Sequence, residues 1–116
     1  MTREDILKSR CLIVVLNKSV TKFSTQDQIE DFTMNAWKLN KKRIKGVEFI
    51  IGIVNGVVVS CYEVTGIGVR FSDGRTFFSN RTEAAMKLDY TDLLKGENLI
   101  KNGIKTNKKE IQYLNF

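Results

Sequence analysis

Two apolar runs on either side of Asn55 and Gly56 constrain the fold more than any other part of the sequence. The stretch 47–64 reads VEFIIGIVNGVVVSCYEV, and its β-branched and aromatic residues favour strands. The Asn-Gly dipeptide suits a two-residue type I′ turn, because both central residues of that turn have positive φ. The sequence therefore predicts a tight antiparallel hairpin whose register is set by the turn. We expect these opposed pairs: Val54 and Val57, Ile53 and Val58, Gly52 and Val59, Ile51 and Ser60, Ile50 and Cys61, and Phe49 and Tyr62.

Both faces of the predicted hairpin are apolar. Residues that lie opposite each other share a face, so Ile50 would join Cys61 on one apolar face and Phe49 would join Tyr62 on the other. A strand pair that is apolar on both sides is normally covered on both sides, which predicts the centre of a small barrel with helices packed outside. Gly52 has no side chain, and it indicates a bend or a close approach of neighbouring atoms.

Two further elements are predicted before the hairpin. The continuous apolar run at 11–16 predicts a buried strand. Thr25 and Gln28 have the spacing of a capping box, which predicts a helix that begins there and ends near Asn35.

The segment after the hairpin contains weaker signals. We expect a flexible joint at 65–68, and Asp73-Gly74 marks the turn of a second hairpin or of a strand with an excursion. Residues 83–88 are predicted to form a helix, and the alternation in 110–116 predicts a last strand that could close a barrel. Either Asn80 or Thr82 would cap this helix. Its inward side chains would be Ala84, Ala85 and Leu88.

The order of these elements predicts the fold class. We expect an α+β fold, a small mixed β-barrel with flanking helices, in a single domain over residues 1–116. No apolar run approaches the ~18 residues of a transmembrane helix, and residues 1–8 carry charges of both signs, unlike a signal peptide. We therefore expect no membrane association and a cytoplasmic location, which would be the host cytoplasm if the protein is viral.

The composition argues against several kinds of site. The chain has no histidine, which removes the usual zinc sites and histidine-based acid–base catalysis. Cys11 and Cys61 lie in apolar runs without CxxC spacing, so we expect two reduced thiols in the core, with a disulfide as the alternative if the two strands are neighbours. No nucleophile–base pair is visible, and we expect neither catalysis nor a cofactor or metal. The net charge of +6, from 19 basic and 13 acidic residues, favours anionic partners such as nucleic acid.

Seven short motifs follow one another between residues 35 and 113: Ala36-Trp37-Lys38, Arg43, Gly56-Val57-Val58, Arg75-Thr76-Phe77-Phe78, Glu83-Ala84-Ala85, Tyr90 and Ile111-Gln112-Tyr113. In this order they resemble the PUA-like superfamily, the group that holds the EVE, ASCH and YTH domains. The resemblance implies a barrel that binds RNA or DNA, in some members with a modified or flipped base in a pocket at the barrel mouth. It does not imply catalysis.

Trp37 is the leading candidate for a ligand-binding residue. It is the only tryptophan and lies between a predicted helix and a basic segment. It could stack on a base while Lys38 and Arg43 contact phosphates. The alternative is a tryptophan that fills the end of the core beside the hairpin.

The other candidates are basic or aromatic. Lys41 and Lys42 belong either to a phosphate-binding patch, which acts through counterion release, or to a solvated turn. Phe77 and Phe78 alternate along a strand, so one of them is expected in the core and the other at a pocket. Arg75 is preferred to Arg70, because the family motif has an arginine there. The complete predicted nucleic-acid-binding set is Trp37, Lys38, Lys41, Lys42, Arg43, Arg70, Arg75 and Phe78.

The sequence thus favours a non-catalytic module that binds RNA or modified DNA through a base pocket at the barrel mouth. Two alternatives stay open. The absence of proline and the many lysines and asparagines are typical of an AT-rich genome such as that of a bacteriophage. The chain could then be a small accessory protein that inhibits a host defence or regulatory protein by direct contact. It could also sequester a small molecule derived from a nucleotide.

Overall fold

The residues described by the computed structural model, 1–35, 37–40, 42–101, 103–104 and 111–116, form an α+β structure with a mixed four-stranded sheet, a two-stranded sheet and three short helices. None of the helices in these ranges is long and apolar enough to cross a membrane. The order of the elements is α1 (Arg3–Lys8), β1 (Cys11–Val15), α2 (Gln26–Met34), β2 (Phe49–Val54), β3 (Val57–Glu63), β4 (Gly66–Val69), β5 (Thr76–Ser79), α3 (Thr91–Leu94) and β6 (Ile111–Leu114).

The larger sheet has the strand order β3-β2-β1-β6. Strands β1 and β2 are parallel, and the chain passes through α2 between them. Strand β6 is antiparallel to β1, and β3 is antiparallel to β2. The smaller sheet pairs β4 with β5. Within the described residues, the strands therefore form an open sheet and a separate hairpin, and no closed barrel is found among them.

The predicted turn is confirmed, but the predicted register holds only beside it. Asn55 and Gly56 have φ values of 50° and 82°, as a type I′ turn requires. The register then shifts between Gly52 and Ile53, so that Gly52 lies opposite Ser60. Val59 is the extra residue of a β-bulge. The bulge reverses the faces predicted for the rest of β3, since a shift of one residue moves each side chain to the other side.

Close packing of α2 on β2 explains the position of the bulge. Thr33 of α2 is buried and donates its hydroxyl hydrogen to the carbonyl of Ile29 at 2.7 Å. The hydroxyls of Thr33 and Ser60 are 2.7 Å apart, and because Thr33 has one hydroxyl hydrogen, Ser60 is the donor between them. A Cβ atom at Gly52 would lie 2.3 Å from Ser60 Oγ and 3.0 Å from Thr33 Oγ1. The close approach predicted at Gly52 is confirmed.

Each face of the larger sheet packs on its own hydrophobic core, as the apolar pattern of both faces predicts. The core that includes side chains of α1 and α3 consists of Ile6, Cys11, Ile13, Phe49, Ile51, Ile53, Val58, Cys61, Leu94 and Leu99. The core that includes side chains of α2 and β5 consists of Leu12, Val14, Leu16, Ile29, Met34, Ile44, Val47, Ile50, Tyr62 and Phe78.

Several predictions from local sequence are confirmed. Thr25 caps α2 and forms a capping box with Gln28, and the helix has its C-cap at Asn35. The second hairpin exists as β4 and β5. Cys11 and Cys61 are buried free thiols, and burial raises the pKa of Cys11 to about 12.

Two predictions about the segments that follow the first hairpin are wrong. The segment 65–68 is not a joint, because most of it belongs to β4. The segment 83–88 is not a helix, and Ala85 in it has a φ of 61°. None of residues 83–88 is buried, so a helix there would have no apolar face against either core, and packing of such a face supplies most helix stability in proteins.

Candidate nucleic-acid interface

Trp37 joins the C-terminal end of α2 to the smaller sheet. Its backbone exchanges two hydrogen bonds with Thr76 of β5, each 2.8 Å long. Its indole Nε1 donates to the carbonyl of Thr33 at 2.9 Å. The side chain is half-buried and packs against the core beneath α2. Trp37 is thus held in one orientation from three sides while part of its ring stays accessible.

A pocket of about 340 Å³ opens beside this ring, and we call it the Trp37 pocket. Three predicted binding residues meet there: the neighbours Trp37 and Lys38, and Arg75 from a distant part of the sequence. The remaining lining residues were not predicted as site residues, and they are Ser19, Phe32, Asn35 and Ile111.

The Trp37 pocket combines apolar walls with a positive rim. Phe32, Trp37 and Ile111 supply apolar surface, and Lys38 and Arg75 are exposed cations. Asn35 donates its side-chain amide to Asp31 at 2.8 Å, which fixes the orientation of the amide. Such a pocket can hold a planar ring against aromatic surface and an anionic group beside it.

Arg43 contacts β6, the strand that contributes Ile111 to the Trp37 pocket. Its guanidinium carbon is 4.4 Å from the centre of the Tyr113 ring, a cation–π geometry. Tyr113 and Ile111 lie on one face of β6, because they are two residues apart in a strand. The stacked guanidinium therefore extends the basic surface beyond the wall that Ile111 contributes to the Trp37 pocket.

Asp73 in the turn between β4 and β5 binds both arginines of that hairpin. Arg70 donates from Nε at 3.1 Å and pairs through Nη2 with the other carboxylate oxygen. Arg75 Nε lies 3.7 Å away, and its backbone N–H donates at 3.0 Å. The hydrogen bond from the Arg70 side chain, followed by that from the Arg75 backbone, lowers the pKa of Asp73 to about 2. Arg70 is thus engaged by a carboxylate at the turn and does not line the Trp37 pocket.

The other predicted basic residues do not meet at the Trp37 pocket. Lys42 lines a different pocket of about 430 Å³ together with Lys45, Gly46 and Ile67. We call this second cavity the Ile67 pocket. Lys41 lies outside the described residues.

Phe78 does not line the Trp37 pocket, although it lines another pocket together with Phe77. Phe78 is only 5% exposed and belongs to the core beneath α2, whereas Phe77 is 37% exposed. The two side chains do point to opposite faces of β5, as expected from strand geometry. Their assignment depends on which face of β5 meets the larger sheet, and the alternation in the sequence is the same in either case.

A larger pocket of about 490 Å³ lies on another side of α2 and has a different charge. Its wall on α2 carries Asp27, Glu30 and Asp31. Arg81 and Lys87 also line it, and Lys87 pairs with Glu30. The i, i+3, i+4 spacing of the three acids is the signal that places them on one helix face. We call this the acidic pocket, because its three carboxylates outnumber its two cations, which makes it less favourable for phosphate groups than the Trp37 pocket.

The chain was compared with models of protein families, with curated proteins and with solved structures, and none of these comparisons found a match.

Proposed function

We propose that this protein is a non-catalytic module that binds RNA or modified DNA and takes one unpaired base into the Trp37 pocket. The observation that carries the proposal is the meeting of Trp37, Lys38 and Arg75 at one pocket with apolar walls. These residues come from two sequence motifs that resemble PUA-like domains, some of which bind a modified or flipped base at the mouth of a barrel. A PUA-like barrel that includes this pocket is part of the proposal.

The geometry of Trp37 suits stacking. Its ring is oriented by the bond to Thr33 and by the pairing with Thr76, so little side-chain freedom would be lost on binding. Stacking of a base on an aromatic side chain contributes about 1–3 kcal/mol. The indole N–H is already bonded within the protein, so recognition of the base edge would come from other groups of the pocket, with Asn35 and Ser19 available on its lining.

The charges around the Trp37 pocket indicate the path of the bound nucleic-acid backbone. Asn35 lines both pockets, and its neighbours on the lining include Asp31 in the acidic pocket and Lys38 in the Trp37 pocket. Phosphates that flank the bound base would pass by Lys38 and Arg75 and avoid the carboxylates of α2. Each phosphate contact in a single strand contributes about −0.7 to the slope of log K against log salt concentration.

The fluorescence of Trp37 provides the first test, because it is the only tryptophan. We would titrate the protein with short single-stranded RNA, single-stranded DNA and duplex DNA containing a modified base, at two salt concentrations. The proposal predicts a saturable quench with at least one of them and a steep loss of affinity at higher salt. Unchanged emission with all three would overturn it.

A matched pair of variants locates the site. Arg75→Gln should weaken binding about three- to tenfold and reduce the salt slope by about 0.7, because one phosphate contact is lost. Lys95→Gln removes the same charge from an exposed residue next to α3, on the opposite face of the larger sheet, and should leave binding nearly unchanged. Equal losses in both variants would mean that only net charge matters.

A change at Trp37 itself separates stacking from folding. Trp37→Phe keeps an aromatic side chain in the core but removes part of the stacking surface, and it should weaken binding of a labelled oligonucleotide measured by anisotropy. Thermal unfolding of the same variant shows whether it is folded. Full affinity in a folded Trp37→Phe variant would assign this side chain to packing.

A further inference from the structure

The smaller sheet has one strand edge that, unlike the outer edges of β3 and β5, has no backbone partner among the described residues. The outer edge of β3 is bonded to the segment 88–97, for example by Val58 N–H to the carbonyl of Glu97 at 2.9 Å and Tyr90 N–H to that of Cys61 at 2.8 Å. The outer edge of β5 is bonded to Trp37. Among the described residues, no backbone group outside β5 bonds to β4. Strand β4 is thus an open edge.

The register shows which groups of β4 are available. Arg70 N–H donates to the carbonyl of Arg75 at 2.9 Å, so this pair is of the hydrogen-bonded type. In an antiparallel ladder the types alternate, and Val69 opposite Thr76 and Ile67 opposite Phe78 are then non-hydrogen-bonded pairs. The bonds of Thr76 to Trp37 on its other side agree with this alternation. The N–H and C=O groups of Ile67 and Val69 therefore point outward along the open edge.

The side chains along this edge are apolar and unusually accessible. Ile67 is 36% exposed and Val69 is 39% exposed. Ile67 forms part of the Ile67 pocket, whose opposite wall is made by Lys42, Lys45 and Gly46. An added strand could bury alternate apolar side chains against Ile67 and Val69 while its backbone bonds to the edge.

The positive charge around the β4 edge indicates which class of partner could bind there. Lys42 and Lys45 are both exposed at the Ile67 pocket, and the whole chain has a net charge of +6. A second copy of the chain would bring the same lysines to the contact, which disfavours a homodimer through β4. A nucleic-acid backbone offers phosphate acceptors but no regular row of donors for the outward C=O groups. The backbone of an extended peptide offers both acceptors and a regular row of N–H donors.

We propose that β4 is a docking edge for an extended acidic peptide segment of a partner protein, which adds to the smaller sheet as a strand. Its alternate apolar side chains pack on Ile67 and Val69, and its carboxylates face Lys42 and Lys45. This surface is separate from the Trp37 pocket, so either proposal can fail without the other.

The test uses the full chain and a blocked peptide with the sequence Glu-Val-Glu-Val-Glu-Val-Glu. Two control peptides have the same length: one replaces each Glu by Lys, and the other carries N-methyl groups on alternate amides. We expect saturable binding of the Glu-Val peptide by NMR, with shifts and slowed amide exchange at Ile67 and Val69. The Lys-Val peptide and the peptide methylated on the bonding amides should bind at least about tenfold more weakly.

Charge variants complete the experiment. Reversing Lys42 and Lys45 together to Glu should exchange the preference between the Glu-Val and Lys-Val peptides. The matched double variant Lys8→Glu with Lys95→Glu changes exposed lysines elsewhere and should keep the preference for Glu-Val. Three results would overturn the proposal: no shifts at 66–69 with the Glu-Val peptide, equal binding of all three peptides, or shifts at 66–69 that depend on protein concentration without peptide.

Discussion

The two sheets of this protein differ in how completely their strands are covered. Both faces of the larger sheet meet a hydrophobic core, and the buried hydroxyl of Ser60 on β3 is bonded to Thr33 of α2. The smaller sheet presents only Thr76 and Phe78 of β5 to the interior and leaves β4 exposed along one edge. Since stability comes mainly from buried apolar surface, the larger sheet should determine the unfolding free energy. The smaller sheet supplies Arg75, the partner strand of Trp37 and the open edge, and it should tolerate substitution.

Thiol reactivity should show the largest difference between the sheets. Cys11 and Cys61 are buried in the larger sheet, and burial raises the pKa of both thiols. They should react with a thiol reagent only when that sheet opens. A cysteine introduced by Ser72→Cys in the exposed β4–β5 turn should react on the order of 10³ times faster or more, because no global unfolding is needed.

Mass spectrometry of timed reactions would measure both rates in one sample. The sheets would not differ as we propose if Cys11 or Cys61 reacted at the rate of the introduced cysteine under native conditions.

Matched glycine substitutions give the next largest effect. Gly52→Ala would place a Cβ 2.3 Å from Ser60 Oγ and 2.8 Å from Leu16 Cδ1, both buried, and overpacking of this kind costs about 1–3 kcal/mol. Gly68→Ala would place a Cβ 2.2 Å from the tip of the Phe77 ring. That ring is accessible and can swing away, so we expect a loss of less than about 1 kcal/mol.

Urea unfolding of the two variants tests this contrast. A further change, Ser60→Ala in the Gly52→Ala background, removes the closest atom and should recover part of the lost stability. Equal destabilisation by Gly52→Ala and Gly68→Ala would show that the smaller sheet is as tightly packed as the larger one.

The hydroxyl pair between α2 and β3 should have a smaller effect. Thr33→Val keeps the shape of the side chain but removes its bonds to Ile29 and Ser60. A buried Ser60 hydroxyl without that acceptor should lower the unfolding free energy by about 1–2 kcal/mol. A double-mutant cycle with Ser60→Ala should show a positive coupling, and additive losses would mean that the two hydroxyls do not act together.

Asp73→Asn should change stability least, because the carboxylate lies in an exposed turn. The lowered pKa of Asp73 means that its contribution is present above the unfolded pKa of about 3.9. It is lost as the pH falls through the folded pKa of about 2. At pH 7 we expect almost unchanged unfolding but about two- to fivefold tighter nucleic-acid binding, since Arg70 and Arg75 lose a competing anion. Weaker binding would show that Asp73 is needed to orient Arg75.

Local signals in the sequence were sufficient where the structure depends on neighbours along the chain. The Asn55-Gly56 turn and the capping box of Thr25 and Gln28 each rest on residues within one turn. The bulge at Val59 could not be predicted in the same way. It follows from the packing of Thr33 against Gly52 and Ser60, which the sequence alone does not place side by side.

Predictions about the candidate site likewise succeeded where local sequence was sufficient and failed where tertiary packing decided. Trp37, Lys38 and Arg75 were selected by residue type and motif, and the structure brings them to one pocket. The choice between Phe77 and Phe78 required knowing which side of β5 faces the core. The predicted basic set was also treated as one surface, whereas Lys42 lies at the Ile67 pocket, because its position depends on the path of the chain between α2 and β2.

The pairing of β1 with β6 has a consequence for folding kinetics. The β2–β3 hairpin joins neighbouring residues and can form within microseconds, whereas β1 pairs Cys11 with Leu114, near the opposite end of the chain. Closing so large a loop costs entropy before its contacts repay it. Until β6 arrives, one side of β1 has no partner strand. The slow step of folding should therefore be the docking of β6, and destabilising substitutions confined to β6 should mainly slow folding.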